Sequence, residues 1–245
     1  MHIRFFYSNE QDLLSAKNKF LVKDSQYRNI DDVRNILHLN FCMGFPLHDL
    51  AGCSLEYIKM WCLRFKRNKN VSSVDYFDLL DSFFYLMATG HQIKASDKWL
   101  VSFSRCFSEK VFLDGEDDFE NRSKVYLLLI QNYTLQQGID LPKLIYENEN
   151  RLGSYYKEFV GLINKDSSEL YTLLSAELRS CNRMKQYYER NKNAEFCVGY
   201  QDFSSILSVL GRLRLWEAMG LKLDDIIVNE IFNKEFDKDI SFFDF

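Results

Sequence analysis

Apolar residues recur along this chain at steps of three and four. Phe203, Ile206, Leu207, Leu210, Leu213 and Trp216 form the clearest run, and the spacing predicts a helix with one apolar side, leaving Arg212, Arg214 and Glu217 on its other faces. Asp202 is placed to cap its start, because a carboxylate there accepts first-turn amide protons, and Gly220 is placed to end it in the left-handed conformation. The same periodicity predicts helices after the Ser8 and Gln11 pair, through Val33, Leu37 and Phe41, from Ser54, and from Ser73 to Gly90. Further helices are expected from Ser96, through Val125 to Gly138, from Pro142, and from Asp166 to about Arg190.

A glycine followed closely by an apolar residue recurs at Gly44-Phe45, Gly90-His91-Gln92-Ile93, Gly138-Ile139 and Gly220-Leu221. Each is a helix stop that lets the next apolar side chain fold back. The gaps between these stops are unequal, which points to helical hairpins and not to a solenoid. The expectation is an all-α, multi-helix bundle of hairpins in two packed halves, residues 1–112 and 113–245, with the acidic run Asp114 to Glu120 at the boundary.

Composition agrees with a helical core. Of the 245 residues 47% are apolar and 16% aromatic, with only 2 prolines and 10 glycines, so long helices and a ring-rich interior are expected. The net charge of −4 does not offer the positive field that a phosphate backbone requires, which excludes direct nucleic-acid binding as the first expectation. No apolar stretch reaches the length a membrane helix needs. Six cysteines sit mostly in apolar-periodic stretches with no signal-peptide pattern ahead of them, as in reduced cytoplasmic proteins.

The search for chemistry finds no catalytic motif. There is no C-x-x-C, no HExxH and no phosphate-cradling glycine loop, so neither a metal nor a cofactor is expected. Asp114 to Glu120 fails as a calcium loop because Phe119 stands where glycine must turn. Ser54 is read as a cap, His38 as a core or boundary residue, and the basic run Arg64 to Lys69 as a helix end. Binding surfaces are better supplied: the segment from Asp224 to Phe245 sets seven acids against two lysines, leaving five net negative charges. Asp114, Glu116, Asp117, Asp118, Asp224 and Asp225, with the adjacent Tyr187 and Tyr188, are the candidate partner-binding residues.

Two regions give this pattern a family resemblance. Leu37 to Leu50 (LHLNFCMGFPLHDL) with Val74 to Ile93, and Val198-Gly199-Tyr200 followed by the apolar helix, Gly220, Asp224 and Asp225, are similar in order and character to the PoNi-type immunity proteins of bacterial polymorphic toxin systems. Gln201 stands where that family has tryptophan, and Leu221-Lys222-Leu223 lengthens the step from glycine to the paired aspartates. The resemblance implies a helical cytoplasmic protein that binds and neutralises a nuclease toxin, with no catalysis of its own. Such a toxin must present positive charge to DNA, and an acidic inhibitor docks there with electrostatic steering. A helical adaptor for another bacterial protein is the rival binding function, and an enzyme would show itself by a concave site with convergent polar groups.

Overall fold

The computed structural model describes residues 29–42, 45–68, 71–110, 117–190 and 195–236. Among them every regular element is helical and none is a strand. In chain order these are α1 (Ile30–Cys42), α2 (Ala51–Arg67), α3 (Ser73–Ala88), α4 (Lys98–Lys110), α5 (Asp118–Leu135), α6 (Leu141–Tyr146), α7 (Glu149–Leu152), α8 (Tyr156–Asn164), α9 (Ser167–Arg190), α10 (Glu195–Ala218) and α11 (Asp225–Phe236). Short 3-10 turns at Leu47–Leu50 and Gly153–Tyr155 lead into α2 and α8.

Helix α3 is the centre. Tyr76, Leu79, Leu80, Phe83, Phe84, Tyr85 and Leu86 are all buried, so it is apolar on nearly every side and must be surrounded, as the breadth of its apolar face predicts. It packs most extensively against α10, then against α2 and α5. At the α10 crossing, Gly211 removes the side chain that would keep the backbones apart. A Cβ there would stand 2.0 Å from the Phe84 carbonyl oxygen, so only glycine permits this approach. Phe65, Phe83, Phe103 and Phe107 from α2, α3 and α4 pack in tilted and edge-to-face pairs with centroids 5.3 to 5.7 Å apart. The aromatic surplus is therefore largely core.

Helices α3, α5 and α10 run the same way. Near the starts of α3 and α5, Ser73 donates to Glu120 at 2.8 Å, while Met87, Ile130, Thr134, Leu215 and Ala218 from the ends of all three line one cleft. Helix α9 runs against them, since its Tyr171 meets Asp224 beyond the end of α10 and its Glu177 meets Arg212 within it. One core cluster extends from Val33 to Val228.

Most helix signals fall where expected, with local differences. Asp166 accepts from the amides of Ser168 and Glu169 and starts α9 as predicted, and Gly90, Gly138 and Gly220 all have positive φ. Helix α5 nevertheless ends earlier, at Gln136 in the left-handed conformation. Ser54 does not cap: α2 begins at Ala51 and buries Ser54 within it. Ser72, one residue before the expected start, closes a capping box with Asp75. Asp202 lies inside α10, which begins at Glu195. Pro142 stands one residue later than expected, in a helix capped by Asp140. The first expected helix, after Ser8, lies outside the described residues, as does Gly44.

Candidate functional site

A buried ionic knot holds the second half of the chain together. Glu158 of α8 receives Arg122 Nε at 2.9 Å on Oε2, and on Oε1 it receives Arg122 Nη2 and Arg212 Nη1, each at 3.1 Å, with the Tyr126 hydroxyl at 2.6 Å. Glu177 of α9 closes the set, 2.7 Å from Arg212 and 3.4 Å from Arg122. Trp216 then donates its indole N–H to Tyr126 at 3.2 Å. Burial alone would raise the Glu158 carboxyl, but Arg122 and Arg212 overcome it and hold the group down at about 2. Four helices, α5, α8, α9 and α10, are thus tied at one point. Arg212, expected on a polar face, is instead 3% exposed, because its charge is neutralised by Glu158 and Glu177 and its guanidinium lies over the Trp216 ring, 5.4 Å from the centroid.

That knot fixes α9, and α9 positions the start of α11. Tyr171 Oη on α9 accepts the Asp224 amide, while Asp224 Oδ1 accepts from Ile226 and Ile227 at 2.9 and 3.2 Å. Asp224 is therefore the N-cap of α11, and Asp225 places a second carboxylate where the helix dipole favours it. Val228 anchors the helix in the core. Facing outward are Asp224, Asp225, Ile226, Ile227 and Glu230, all exposed, with Ile226 at 70%. Two consecutive isoleucines in water, bordered by carboxylates, are a surface whose apolar part gains by being covered.

The remaining acidic candidates lie elsewhere. Asp117 is exposed and caps α5 by accepting from Phe119 at 2.9 Å. Asp118 accepts the Ser154 amide at 3.4 Å, beside Gly153 with its positive φ. Both mark the start of α5, whereas Asp224 and Asp225 follow the end of the parallel α10, so the two acidic pairs stand at opposite ends of the bundle. Tyr187 and Tyr188 belong to the last turns of α9, on the side away from Asp224, and their side chains lie outside the described residues, as do Asp114 and Glu116 entirely.

The cleft at the shared helix ends has a volume of about 550 Å³, within the range of small-ligand pockets. Met87, Ile130 and Leu215 line it, and Lys94 and Arg214 bring positive charge. Arg214 is already paired with Glu217 at 3.0 Å, and the Thr134 hydroxyl donates to the Ile130 carbonyl at 2.7 Å. A concave site is therefore present, although Asp81 and His38, shifted by burial, and Glu158, held down by Arg122 and Arg212, line no part of it. Among the described residues no group of histidine, cysteine and carboxylate side chains could hold a metal ion, and no helix is long and apolar enough to cross a membrane.

Sequence reasoning identified the acids of α11 but missed Ile226 and Ile227, which the step of three and four would have placed beside them. No family model matches this chain, and no curated protein and no solved structure matches it.

Proposed function

We propose that this chain acts by stoichiometric binding, covering a basic surface of a protein partner with the start of α11. The observation that carries this reading is the exposed Asp225-Ile226-Ile227 step on a helix whose cap and anchor are both fixed from α9 and the core. Exposed isoleucines supply area to bury, and the carboxylates around them supply attraction and orientation toward cationic groups. The resemblance in Leu37 to Leu50 and around Gly220 suggests the partner class: a bacterial nuclease toxin neutralised in the cytoplasm of the cell that makes both proteins.

The experiment is co-expression with candidate nuclease toxins, followed by association kinetics with the purified pair. The expected result is rescue of growth by the natural chain. Asp225→Lys should slow association and weaken its salt dependence, while Ile226→Ser should speed dissociation. Asp224→Asn keeps an oxygen for the cap and serves as the charge-only comparison. Rescue and kinetics that survive both Asp225→Lys and Ile226→Ser unchanged would remove α11 from the interface, and failure to bind any basic protein would remove the proposal.

A further inference from the structure

A second buried polar cluster joins α3 to α10 without an ion pair. Asp81 of α3 is buried, and its oxygens take hydroxyl donors: Ser208 of α10 on Oδ1, and Tyr85 on Oδ2 at 3.2 Å. Among the described residues no lysine or arginine comes within ion-pairing distance of it. Ser208, itself half-buried, stands one turn before Gly211, where the two helices approach backbone to backbone, and with Asp81 4% exposed a charge on it has little access to water.

The surrounding groups only partly compensate. Asp78 lies one turn away on α3, Arg34 approaches from α1 with His38 beside it, and Tyr57 of α2 stacks on Tyr85. On α10 Arg212, one turn after Ser208, is committed to Glu158 and Glu177. Helix α4 meets α3 through rings, Trp99 and Phe103 on Phe83. Helix α5 brings Lys124 and Glu120 only to the first turns of α3, at Tyr76 and Ser73.

We propose that the α3–α10 contact is a proton-operated joint, closed when Asp81 carries a proton from solvent and loosened when it gives that proton back. In the protonated form the carboxyl has an O–H to donate, and the Ser208 and Tyr85 hydroxyls can turn to donate or accept, so every polar group is satisfied. In the ionised form a buried carboxylate has only two neutral hydroxyls to accept from, and separating the helices lets more water reach it. Burial, outweighing the Ser208 bond, pushes this carboxyl up to about 7, so the change falls in the neutral range.

The sign follows from linkage. The closed joint holds the proton up to about pH 7 and the open joint only to about pH 4, so opening becomes about tenfold easier per pH unit between those limits and levels off above them. The test is amide hydrogen exchange, corrected for intrinsic rates, on the full chain at Ile206 to Trp216 and Leu79 to Leu86. The readout is the ratio of opening constants, natural chain over Asp81→Asn, which cancels His38 and every other titrating group. That ratio is expected to rise about tenfold per pH unit from pH 5 to about 7 and then stay flat. Ser208→Ala, which removes a donor to the carboxylate, should move the levelling point to higher pH. Should Asp81→Asn not fold, the carboxyl carbon resonance of Asp81 decides in the natural chain and in Ser208→Ala. A ratio constant across the range, an Asp81 midpoint below about pH 5, or a levelling point unmoved by Ser208→Ala would overturn the proposal.

Discussion

Replacing Glu158 with glutamine tests whether the ionic knot is what makes the α5, α8, α9 and α10 assembly rigid. The natural set is neutral: Arg122 and Arg212 against Glu158 and Glu177. Glutamine keeps the shape but leaves one positive charge in excess in the interior, with Glu177, whose side chain is 38% exposed, as the remaining anion. Breaking a buried pair from one side costs about 3 to 5 kcal/mol. That Arg122 and Arg212 hold the Glu158 carboxyl down to about 2, against its burial, points in the same direction.

The assay is urea unfolding followed by helical circular dichroism at neutral pH and in acid. Glu158→Gln should lose about 3 kcal/mol at neutral pH. Its folded-state carboxyl lies below its unfolded value, so the natural chain has this contribution in full above about pH 4.5 and loses it as the pH falls toward about 2, whereas the variant has nothing to lose there. Replacing Arg122, Glu158 and Arg212 together by methionine should cost less than Glu158→Gln alone, because the one charge left without a partner, Glu177, has a side chain 38% exposed and reaches water. A loss below about 1 kcal/mol for Glu158→Gln, or a triple variant worse than the single, would refute the reasoning.

Other perturbations separate packing, protonation and capping. Gly211→Ala should cost at least about 3 kcal/mol in urea unfolding, since its Cβ would meet Phe84 backbone at 2.0 Å and the backbone there has no rotamer to yield. His38→Gln should gain on the natural chain by about 2 kcal/mol between pH 6.5 and 5, because burial, assisted by Arg34, lowers the imidazole to about 4 and its unfolded form alone takes up the proton in that range. Asp224→Ala should lower stability by about 1 kcal/mol while Asp224→Asn should not, which thermal melts would resolve. Asp117→Asn should leave association with a partner docked on α11 unchanged, and a slowing equal to that of Asp225→Asn would place the contact along the whole bundle.

What was legible in the sequence is what neighbours three or four residues apart can dictate. The faces of α1, α3 and α9, the stop at Gly220 and the cap at Asp166 each follow from contacts within one or two turns. Arg212 and Gly211 were not legible, for the same reason in two forms. The partner of Arg212 is Glu158, on a helix 54 residues earlier, and the reason for Gly211 is the backbone of Phe84. Locally an arginine reads as surface and a glycine inside an apolar run reads as weakness, because the compensating group is absent from the window.

The acidic candidates show a different limit. Asp117 and Asp224 were legible as acids, yet the same carboxylate that could meet a cation is already accepting first-turn amides. A capping carboxylate keeps most of its charge available to a partner, since two amide bonds neutralise the helix terminus and not the anion. Capping therefore does not compete with docking; it holds the charge in one place, which lowers the ordering cost of binding. By that reasoning the fixed pair at Asp224 and Asp225, next to Ile226, is a better binding element than a larger count of loosely held acids.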